Sequence, residues 1–267
     1  MNLARDPGTY LYNGSAPWNN GFAGTTVHNT VTVDDQDQMR RVGRFLWVDW
    51  AQASGRAYAS NSHACADRFK GEHDGYRRLG VTHRRAVQWL GGSGWVLVDD
   101  ISSEIEGAEH DVCLHWLSAD LPFEVADSPF QVVFTSDVAR IRWSIVSSVP
   151  GSAAIVRAGK MIGINGTSNF GNIEAPLLGW EASTYGELRP AVSLVQRARS
   201  RLPIRLVTVV LTDERCTFEL RDGEVVVILR DKLHQEPAGV SEYRVSLAAK
   251  TVPSSETDSF PVREFKA

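Results

Sequence analysis

The alternation of apolar and polar residues with a period of two is the feature that most constrains how this chain folds. Residues 26–34 read TVHNTVTVD and residues 139–147 read ARIRWSIVS, so apolar side chains return at every second position over much of each run. Successive side chains of a β-strand point to opposite faces, and this pattern therefore predicts strands with one buried face. No stretch of about a dozen residues combines a period of 3.6 with caps at both ends, so the sequence predicts no long helix.

Many further runs fit the strand pattern and are bounded by turn residues. They are predicted at residues 44–50, 82–90, 95–100, 112–117, 131–135, 153–158, 191–199, 204–212, 216–221, 224–230 and 243–247. The pairs Asp222-Gly223 and Asn165-Gly166 each lie between two strand-like runs and are typical of two-residue hairpin turns. Residues 53–75 are polar and are predicted to form a loop.

The number of strands determines the predicted architecture. A dozen or more antiparallel strands in one chain form a large sandwich of two sheets or a barrel. Because strand and loop lengths are irregular, we predict an all-β fold, a large antiparallel β-sandwich (a two-layer supersandwich), over residues 1–250. The pattern also allows a smaller last sheet from about residue 190, and residues 251–267 are predicted to form a polar C-terminal tail.

Composition and charge exclude several classes of protein. The chain has 28 basic and 32 acidic residues and a net charge of −4, so it lacks the basic surface of a nucleic-acid-binding protein. Its longest apolar stretches, such as residues 206–211, are far shorter than the roughly 20 residues that span a membrane. Residues 1–10 lack an apolar signal-peptide core, so no export signal is expected in this chain.

Two residues near the start of the sequence are candidates for chemistry. Asp6 precedes a Pro-Gly pair, and His28 lies in a predicted strand on the same face as its threonine neighbours. An imidazole held among β-branched residues is stiff, which suits a metal ligand or an oriented acid–base group. Taken alone, His28 is also explained as a hydrogen-bonded histidine and Asp6 as a turn-forming residue. The residues by themselves leave both interpretations open.

The sequence blocks that contain these two residues resemble a known family. The block D-P-G-T-Y-x-Y covers residues 6–12, and the block H-N-T-V-x-V-D-x-x-D-Q covers residues 28–38. An H-R strand, a turn and a strand ending in V-D-D follow within residues 75–101, and His115 begins an H-W-L segment. Together these blocks resemble the heparinase II/III-like polysaccharide lyase family, clearly from residue 6 to about residue 118 and more weakly to about residue 250.

The resemblance implies a fold and a metal site. Members of this family join an α-helical toroid to a C-terminal β-sandwich, with the substrate cleft between them, and this chain is similar to the sandwich. Their zinc ligands are a histidine from an H-x-H-x-D segment, the aspartate of D-P-G-T-Y and the histidine of H-N-T. The last two correspond to Asp6 and His28, and a carboxylate and an imidazole are suitable ligands for Zn²⁺. The H-x-H-x-D segment and the toroid are absent from this sequence, so the resemblance implies a structural Zn²⁺ with an incomplete ligand set in this chain.

The resemblance also implies an activity, the cleavage of uronic-acid-containing acidic polysaccharides by β-elimination. The parent protein is then expected to be a polysaccharide lyase, whereas this chain alone is expected to be inactive, and no catalytic residue is assigned in it. Side chains that would line the cleft, by stacking on sugar rings or by donating to carboxylates, are those of Tyr10, Tyr12, Trp18 and Asn29. Core packing or turn formation explains each of them as well. The alternatives are a non-catalytic module that binds acidic glycans and a structural domain that has lost the site.

Partners and location follow from the same resemblance. The expected partners are an acidic polysaccharide, which is heparan-like, alginate-like or a bacterial exopolysaccharide, and an N-terminal helical toroid that is supplied upstream or in trans. Neither nucleic acid nor a membrane is expected as a partner. Exposed sheet edges favour pairing between copies, which predicts a homodimer. The family's polysaccharide substrates imply a periplasmic or extracellular location.

Overall fold

The computed structural model describes residues 2–58, 68–126, 130–165, 175–230 and 240–249. Within these ranges the backbone forms twenty β-strands and three short 3-10 helices, which are Gly21–Ala23, Thr25–Val27 and Arg77–Leu79. In the same ranges, none of the helices has the length and apolar character needed to cross a membrane. The strands, numbered in chain order, are β1 (Val31–Val33), β2 (Arg40–Arg41), β3 (Trp47–Val48), β4 (Ala53–Tyr58), β5 (Arg68–Tyr76), β6 (Val81–Trp89), β7 (Gly94–Ser103), β8 (Glu109–Ser118), β9 (Phe123–Ala126), β10 (Gln131–Thr135), β11 (Arg140–Ser147), β12 (Ser152–Arg157), β13 (Lys160–Asn165), β14 (Trp180–Thr184), β15 (Glu187–Pro190), β16 (Val192–Arg201), β17 (Ile204–Leu211), β18 (Thr217–Arg221), β19 (Glu224–Arg230) and β20 (Val240–Ser246).

Two large antiparallel sheets form the body of the molecule. A five-stranded sheet has the order β1-β8-β16-β12-β13, and an eight-stranded sheet has the order β4-β5-β6-β7-β17-β11-β10-β9. Their inner faces share one buried cluster, to which Leu114 and Leu194 contribute from the first sheet and Ile101 and Leu206 from the second. The predicted all-β sandwich is therefore confirmed.

Aromatic side chains occupy the centre of this core. The ring centroids of Trp116 and Trp143, which lie on opposite sheets, are 5.6 Å apart, and Phe134 packs against Trp143 at 6.3 Å. The Trp116 indole also donates a hydrogen bond to the Thr208 hydroxyl at 3.1 Å, so its polar atom is satisfied inside the core. Full burial of a side chain such as Phe134 contributes about 1.5–3 kcal/mol to stability.

A third, three-stranded sheet covers the outer face of the eight-stranded sheet. It has the order β18-β19-β20, and its Val225 and Val227 share a buried cluster with Val98 and Val209. The predicted turn at Asp222-Gly223 joins β18 to β19, with φ angles of 49° and 74° that glycine and aspartate tolerate. This small sheet begins at Thr217, because residues 192–211 belong to the two large sheets.

Residues 53–75 were predicted to form a loop, and this prediction is wrong for the described part of that range. They contribute β4 and β5, which pair with each other from Ala53↔His73 to Tyr58↔Arg68. β4 is one of the two edge strands of the eight-stranded sheet, and most of its side chains are exposed. Because burial does not select apolar residues at such an edge, the alternating pattern that reveals a half-buried strand is missing there.

The predicted strand over residues 26–34 is also wrong in its first half. Thr25–Val27 forms a 3-10 turn, and only Val31–Val33 pairs with β8, so His28 does not lie within a strand. The ladder stops because the side-chain oxygen of Asn29, rather than a backbone carbonyl, accepts the hydrogen bond of the Leu117 N–H.

The predicted strand at residues 44–50 is reduced to the two residues of β3, which pair with β2. Gly166 of the predicted Asn165-Gly166 turn and the tail at residues 251–267 lie outside the described residues.

Candidate functional site

Asp6 and His28 lie side by side on the surface of the sandwich. His28 Nδ1 is 3.0 Å from Asp6 Oδ2, and the other oxygen of Asp6 accepts the backbone N–H of Gly8 at 2.9 Å. Gly8 has a φ of 70°, and a Cβ there would lie 2.2 Å from the carbonyl oxygen of Ala182, so only glycine fits this turn. The side chains of His28 and Asp6 are 35% and 71% exposed, which leaves the pair open to a ligand.

The hydrogen bond of His28 Nε2 determines whether Nδ1 of the neutral ring carries a hydrogen. Nε2 lies 3.0 Å from the carbonyl oxygen of Phe22, which only accepts, so Nε2 carries a hydrogen and donates it. Nδ1 of a neutral imidazole is then a bare acceptor that faces a carboxylate oxygen. Two acceptors at 3.0 Å repel each other unless a proton or a metal ion lies between them. A backbone carbonyl that orients the non-ligating N–H is the usual arrangement around a metal-bound histidine.

The donor set therefore fits part of a metal site. Zinc in proteins commonly has three or four protein ligands, and a carboxylate with an imidazole supplies two of them. In the ranges that the structure describes, no group of three or more histidine, cysteine, aspartate or glutamate residues could hold a metal. A further ligand would have to come from outside these ranges.

The backbone segments that carry Asp6 and His28 are clamped from behind by Asn29. Its amide nitrogen donates to the carbonyl oxygen of Arg5 at 2.8 Å, and its amide oxygen accepts the N–H of Leu117 at 2.6 Å. The segment before Asp6 and the segment after His28 are thereby tied to the same residue and to β8. Both polar groups of the Asn29 side chain are therefore hydrogen-bonded to the backbone. A role of Asn29 in binding a substrate stays a prediction.

His115 on β8 supports the same segment. Its Nδ1 donates to the carbonyl oxygen of His28 at 3.0 Å, and its Nε2 accepts from the hydroxyl of Ser193 at 2.7 Å. Burial lowers the pKa of His115 to about 4, so the imidazole is neutral and keeps this donor–acceptor pattern at ordinary pH.

A second histidine–aspartate pair lies in the interior of the eight-stranded sheet. His83 Nε2 donates to Asp99 Oδ1 at 2.6 Å, and Arg85 donates to both carboxylate oxygens at 2.6 and 3.1 Å. Burial acts to raise the pKa of Asp99, but the Arg85 charge and the His83 hydrogen bond outweigh it and lower the pKa to about 2. His73 continues the chain, because its Nε2 lies 3.0 Å from His83 Nδ1.

The guanidinium of Arg85 connects this interior network to the surface pair. It donates to the carbonyl oxygen of Asn29 at 2.6 Å and stacks on the ring of Trp116 at 4.8 Å. His83 and Arg85 point to one face of β6, while Arg84 points to the other and pairs with Glu72. The sequence carries a signal for this network in the two adjacent hairpin strands H-R-R and V-D-D, but it does not give their register.

The aromatic candidates fall into two environments. Tyr10 and Trp18 pack edge to face with centroids 5.3 Å apart and are partly buried against Phe22. Tyr12 is exposed and lies 5.2 Å from each of the rings of Phe45 and Tyr185. Packing thus accounts for Tyr10 and Trp18, whereas Tyr12 belongs to an open aromatic surface; substrate binding by any of them stays a prediction.

Comparisons with known proteins bear on this site. A family model described as "Heparinase II/III-like, C-terminal" matches residues 1–238. Similar solved structures include a heparinase III, with 16% identity and a TM-score of 0.61 over 93% of this chain and 33% of that chain. Another is heparan sulfate lyase HepC from Pedobacter heparinus, with 14% identity and a TM-score of 0.57 over 92% of this chain and 33% of that chain. The chain thus spans about a third of the length of these structures. At these identities the likeness shows the fold alone, and no curated protein sequence matches the chain.

Proposed function

Because the chain belongs to the heparinase II/III-like family, as its C-terminal domain, we propose that it is the β-sandwich portion of a polysaccharide lyase. The enzyme would cleave uronic-acid-containing acidic polysaccharides by β-elimination, with a helical toroid supplied from outside this chain. The observation that carries the proposal is the Asp6–His28 pair, in which two potential zinc ligands lie 3.0 Å apart within a chain of this family.

The reaction sets requirements that this chain meets only in part. A base removes the proton next to the uronate carboxylate, an acid protonates the leaving oxygen, and a carbon–carbon double bond forms. Charge builds up on the carboxylate in the transition state and must be offset by donors or cations. We assign no acid or base to this chain, and we propose that these groups come from the toroid.

The role proposed for Asp6 and His28 is structural. Asp6 would bind Zn²⁺ through Oδ2 and His28 through Nδ1, while Phe22 holds the other ring nitrogen and Gly8 holds the other carboxylate oxygen. Bound Zn²⁺ would supply a fixed positive charge that joins the two segments at the cleft. Asn29 and His115 support the proposal, because they set the backbone of both segments before any metal binds.

The experiment that tests the proposal measures elimination and binding separately. The chain alone is incubated with heparan sulfate and with alginate, and the release of unsaturated uronate is followed by its ultraviolet absorbance. We expect binding of acidic polysaccharide without product, and product only when the toroid is present in the parent protein or in trans. Product from the chain alone would contradict the division of roles between toroid and sandwich.

The alternative function, a non-catalytic module that binds acidic glycans, is separated by the same assay. A protein with the toroid present that binds acidic polysaccharide but releases no unsaturated uronate would favour the binding module. A chain that binds no acidic polysaccharide at all would reject both functions. The periplasmic or extracellular location and the homodimer stay predictions of the resemblance.

A further inference from the structure

An open pocket lies beside Asn19, at the start of the short segment that leads to Phe22. It has a volume of about 410 Å³ and is lined by Ala16, Pro17, Asn19, Arg41, Gly43 and Arg44. Asn19 lines the pocket, and Phe22, three residues later, holds the His28 ring through its carbonyl oxygen. Residues 19–22 therefore connect the lining of the pocket to the carbonyl group that orients His28.

Arg44 is held in this pocket by neutral groups and retains most of its donors. Its Nε donates to the side-chain oxygen of Asn19 at 3.1 Å, and its Nη1 donates to the side-chain oxygen of Asn13. A guanidinium has five N–H donors, so three remain without an acceptor among the residues that the structure describes. Two amide side chains thus orient a full positive charge without neutralising it.

Arg41 adds a second positive charge beside the first. It donates to the carbonyl oxygens of Asn19 at 2.8 Å, Asn20 at 3.2 Å and Gly43 at 3.2 Å. Within the described ranges, neither Arg41 nor Arg44 forms an ion pair, whereas the adjacent Arg40 pairs with Asp49 at 3.0 Å. Two guanidinium groups that line one pocket without a carboxylate attract an anion.

An aromatic surface borders the pocket. Tyr12, Phe45 and Tyr185 are 42%, 66% and 53% exposed, and the ring of Tyr12 lies 5.2 Å from each of the other two. Phe45 follows Arg44 in the chain, and Tyr12 precedes Asn13, which orients Arg44. Exposed aromatic faces of this kind pack against the apolar faces of sugar rings, while guanidinium groups bind the acidic substituents.

We propose that Arg44 and Arg41, with the rings of Tyr12 and Phe45, form a subsite that binds the carboxylate or sulfate group of an acidic sugar. The choice of a sugar as ligand rests on the proposed function, whereas the anion site rests on the geometry of the two arginines. Arg44 is the residue that contacts the anion, and Asn13 and Asn19 position it.

The test compares variants of the chain by calorimetric titration with three oligosaccharides. Hyaluronan fragments carry carboxylates only, dextran sulfate fragments carry sulfates only, and dextran fragments are neutral. We expect R44Q to weaken binding of at least one acidic oligosaccharide by about tenfold or more, and R44K to restore part of it through its charge. Asn13→Ala should weaken binding by a few-fold, because it releases the guanidinium but keeps the charge.

The matched control is R140Q, which makes the same change of charge at an exposed arginine paired with Glu124 on the eight-stranded sheet. Thermal unfolding of each variant verifies that it is folded. If R44Q binds acidic oligosaccharides as R140Q does, the subsite is wrong while the proposed function stands. Carboxylate and sulfate recognition are distinguished by which of the two acidic oligosaccharides responds to R44Q.

A second readout separates the site from the function. If the wild-type chain does not prefer acidic oligosaccharides to dextran, the acidic-glycan function fails, and inorganic sulfate then tests the anion site by nuclear magnetic resonance. A sulfate-dependent shift of the Arg44 Nε–H signal, absent from Arg140, would support the anion site. No shift at Arg44 would overturn it.

Discussion

Among the described residues, the histidine–aspartate pairs His28–Asp6 and His83–Asp99 have the same composition but opposite surroundings, and a third pair, His110–Asp34, lies at the start of β8. His28 and Asp6 lie 3.0 Å apart on the surface with side chains 35% and 71% exposed, whereas His83 and Asp99 lie 2.6 Å apart with side chains 3% and 0% exposed. Asp99 also accepts two hydrogen bonds from Arg85, while the second oxygen of Asp6 accepts only a backbone N–H. The buried pair is thus complete in charge and hydrogen bonds, and the exposed pair is open on one side.

The difference teaches that the residue types alone do not define a site. A buried carboxylate with three donors has no capacity for a ligand, because a ligand would have to displace bonds that offset the cost of burial. An exposed carboxylate that accepts only a backbone N–H besides its contact with the imidazole loses little when a cation enters. The same chemistry therefore serves structure in one place and, in our proposal, metal binding in the other.

The largest expected effect comes from breaking the buried pair. Asp99→Asn leaves Arg85 and His83 without their anion, and we expect the free energy of unfolding to fall by about 3–5 kcal/mol. Asp6→Asn is the matched change on the exposed pair and should cost at most about 1 kcal/mol in metal-free buffer. Urea unfolding of both variants measures the difference, and equal losses would contradict the contrast between the pairs.

The next effect concerns zinc. Zinc at about a hundred times its dissociation constant should raise the free energy of unfolding by about 2.7 kcal/mol, because it binds the folded chain only. Asp6→Asn and His28→Gln should abolish this increase. Asp99→Asn should show the same increase with zinc, although its free energy of unfolding is lower both with and without the metal. Unfolding is measured with zinc and with a chelator. A wild-type chain that unfolds identically in both would show that Asp6 and His28 do not hold zinc without a further ligand.

A smaller effect is the loss of stability at low pH that His73, in the buried network, should cause. Burial above all, together with the positive charge of Arg85, lowers the pKa of His73 from 6.5 to about 4. Between these values the unfolded chain binds a proton that the folded chain does not, so stability is complete above pH 6.5 and is lost as the pH falls toward 4. The loss from this group is of the order of 2 kcal/mol.

Replacing His73 with glutamine isolates this contribution. The amide nitrogen of Gln can still donate to His83 Nδ1, but it does not titrate, so the variant should lose less stability than the wild type between pH 6.5 and 4. Buried His115, with its own pKa lowered to about 4, accounts for part of the slope that remains. Parallel curves for the two proteins would show that His73 is not the titrating group.

The parts of the molecule that could be predicted from the sequence are the strands with one buried face, because burial of that face requires apolar residues at every second position. Strands β10 and β19 were predicted to the residue because one face of each lies against a core. The edge strand β4 was missed because its side chains are largely exposed, and β5 beside it was missed because its half-buried positions carry mostly polar residues. Asp6 and His28 are 22 residues apart in the sequence, and their spacing does not predict that they are close in space. Only the family resemblance indicated that the two residues form one site. The Arg44 pocket had no signal, because its anchors Asn13 and Asn19 are ordinary turn residues in the sequence.

The smallest effect probes how the exposed pair is held. Asn29→Ala removes the clamp between the Arg5 carbonyl and the Leu117 N–H and should cost about 1–2 kcal/mol of stability. Its diagnostic effect is on the metal: zinc affinity should fall roughly 10-fold, because the backbone on either side of the pair loses its common support. Asn29→Asp is the informative partner, because it keeps the acceptor for Leu117 but places a carboxylate oxygen against the Arg5 carbonyl oxygen, so it should destabilise the chain at least as much as Asn29→Ala. A loss of stability without any change in zinc affinity would mean that the clamp serves the sandwich and not the pair.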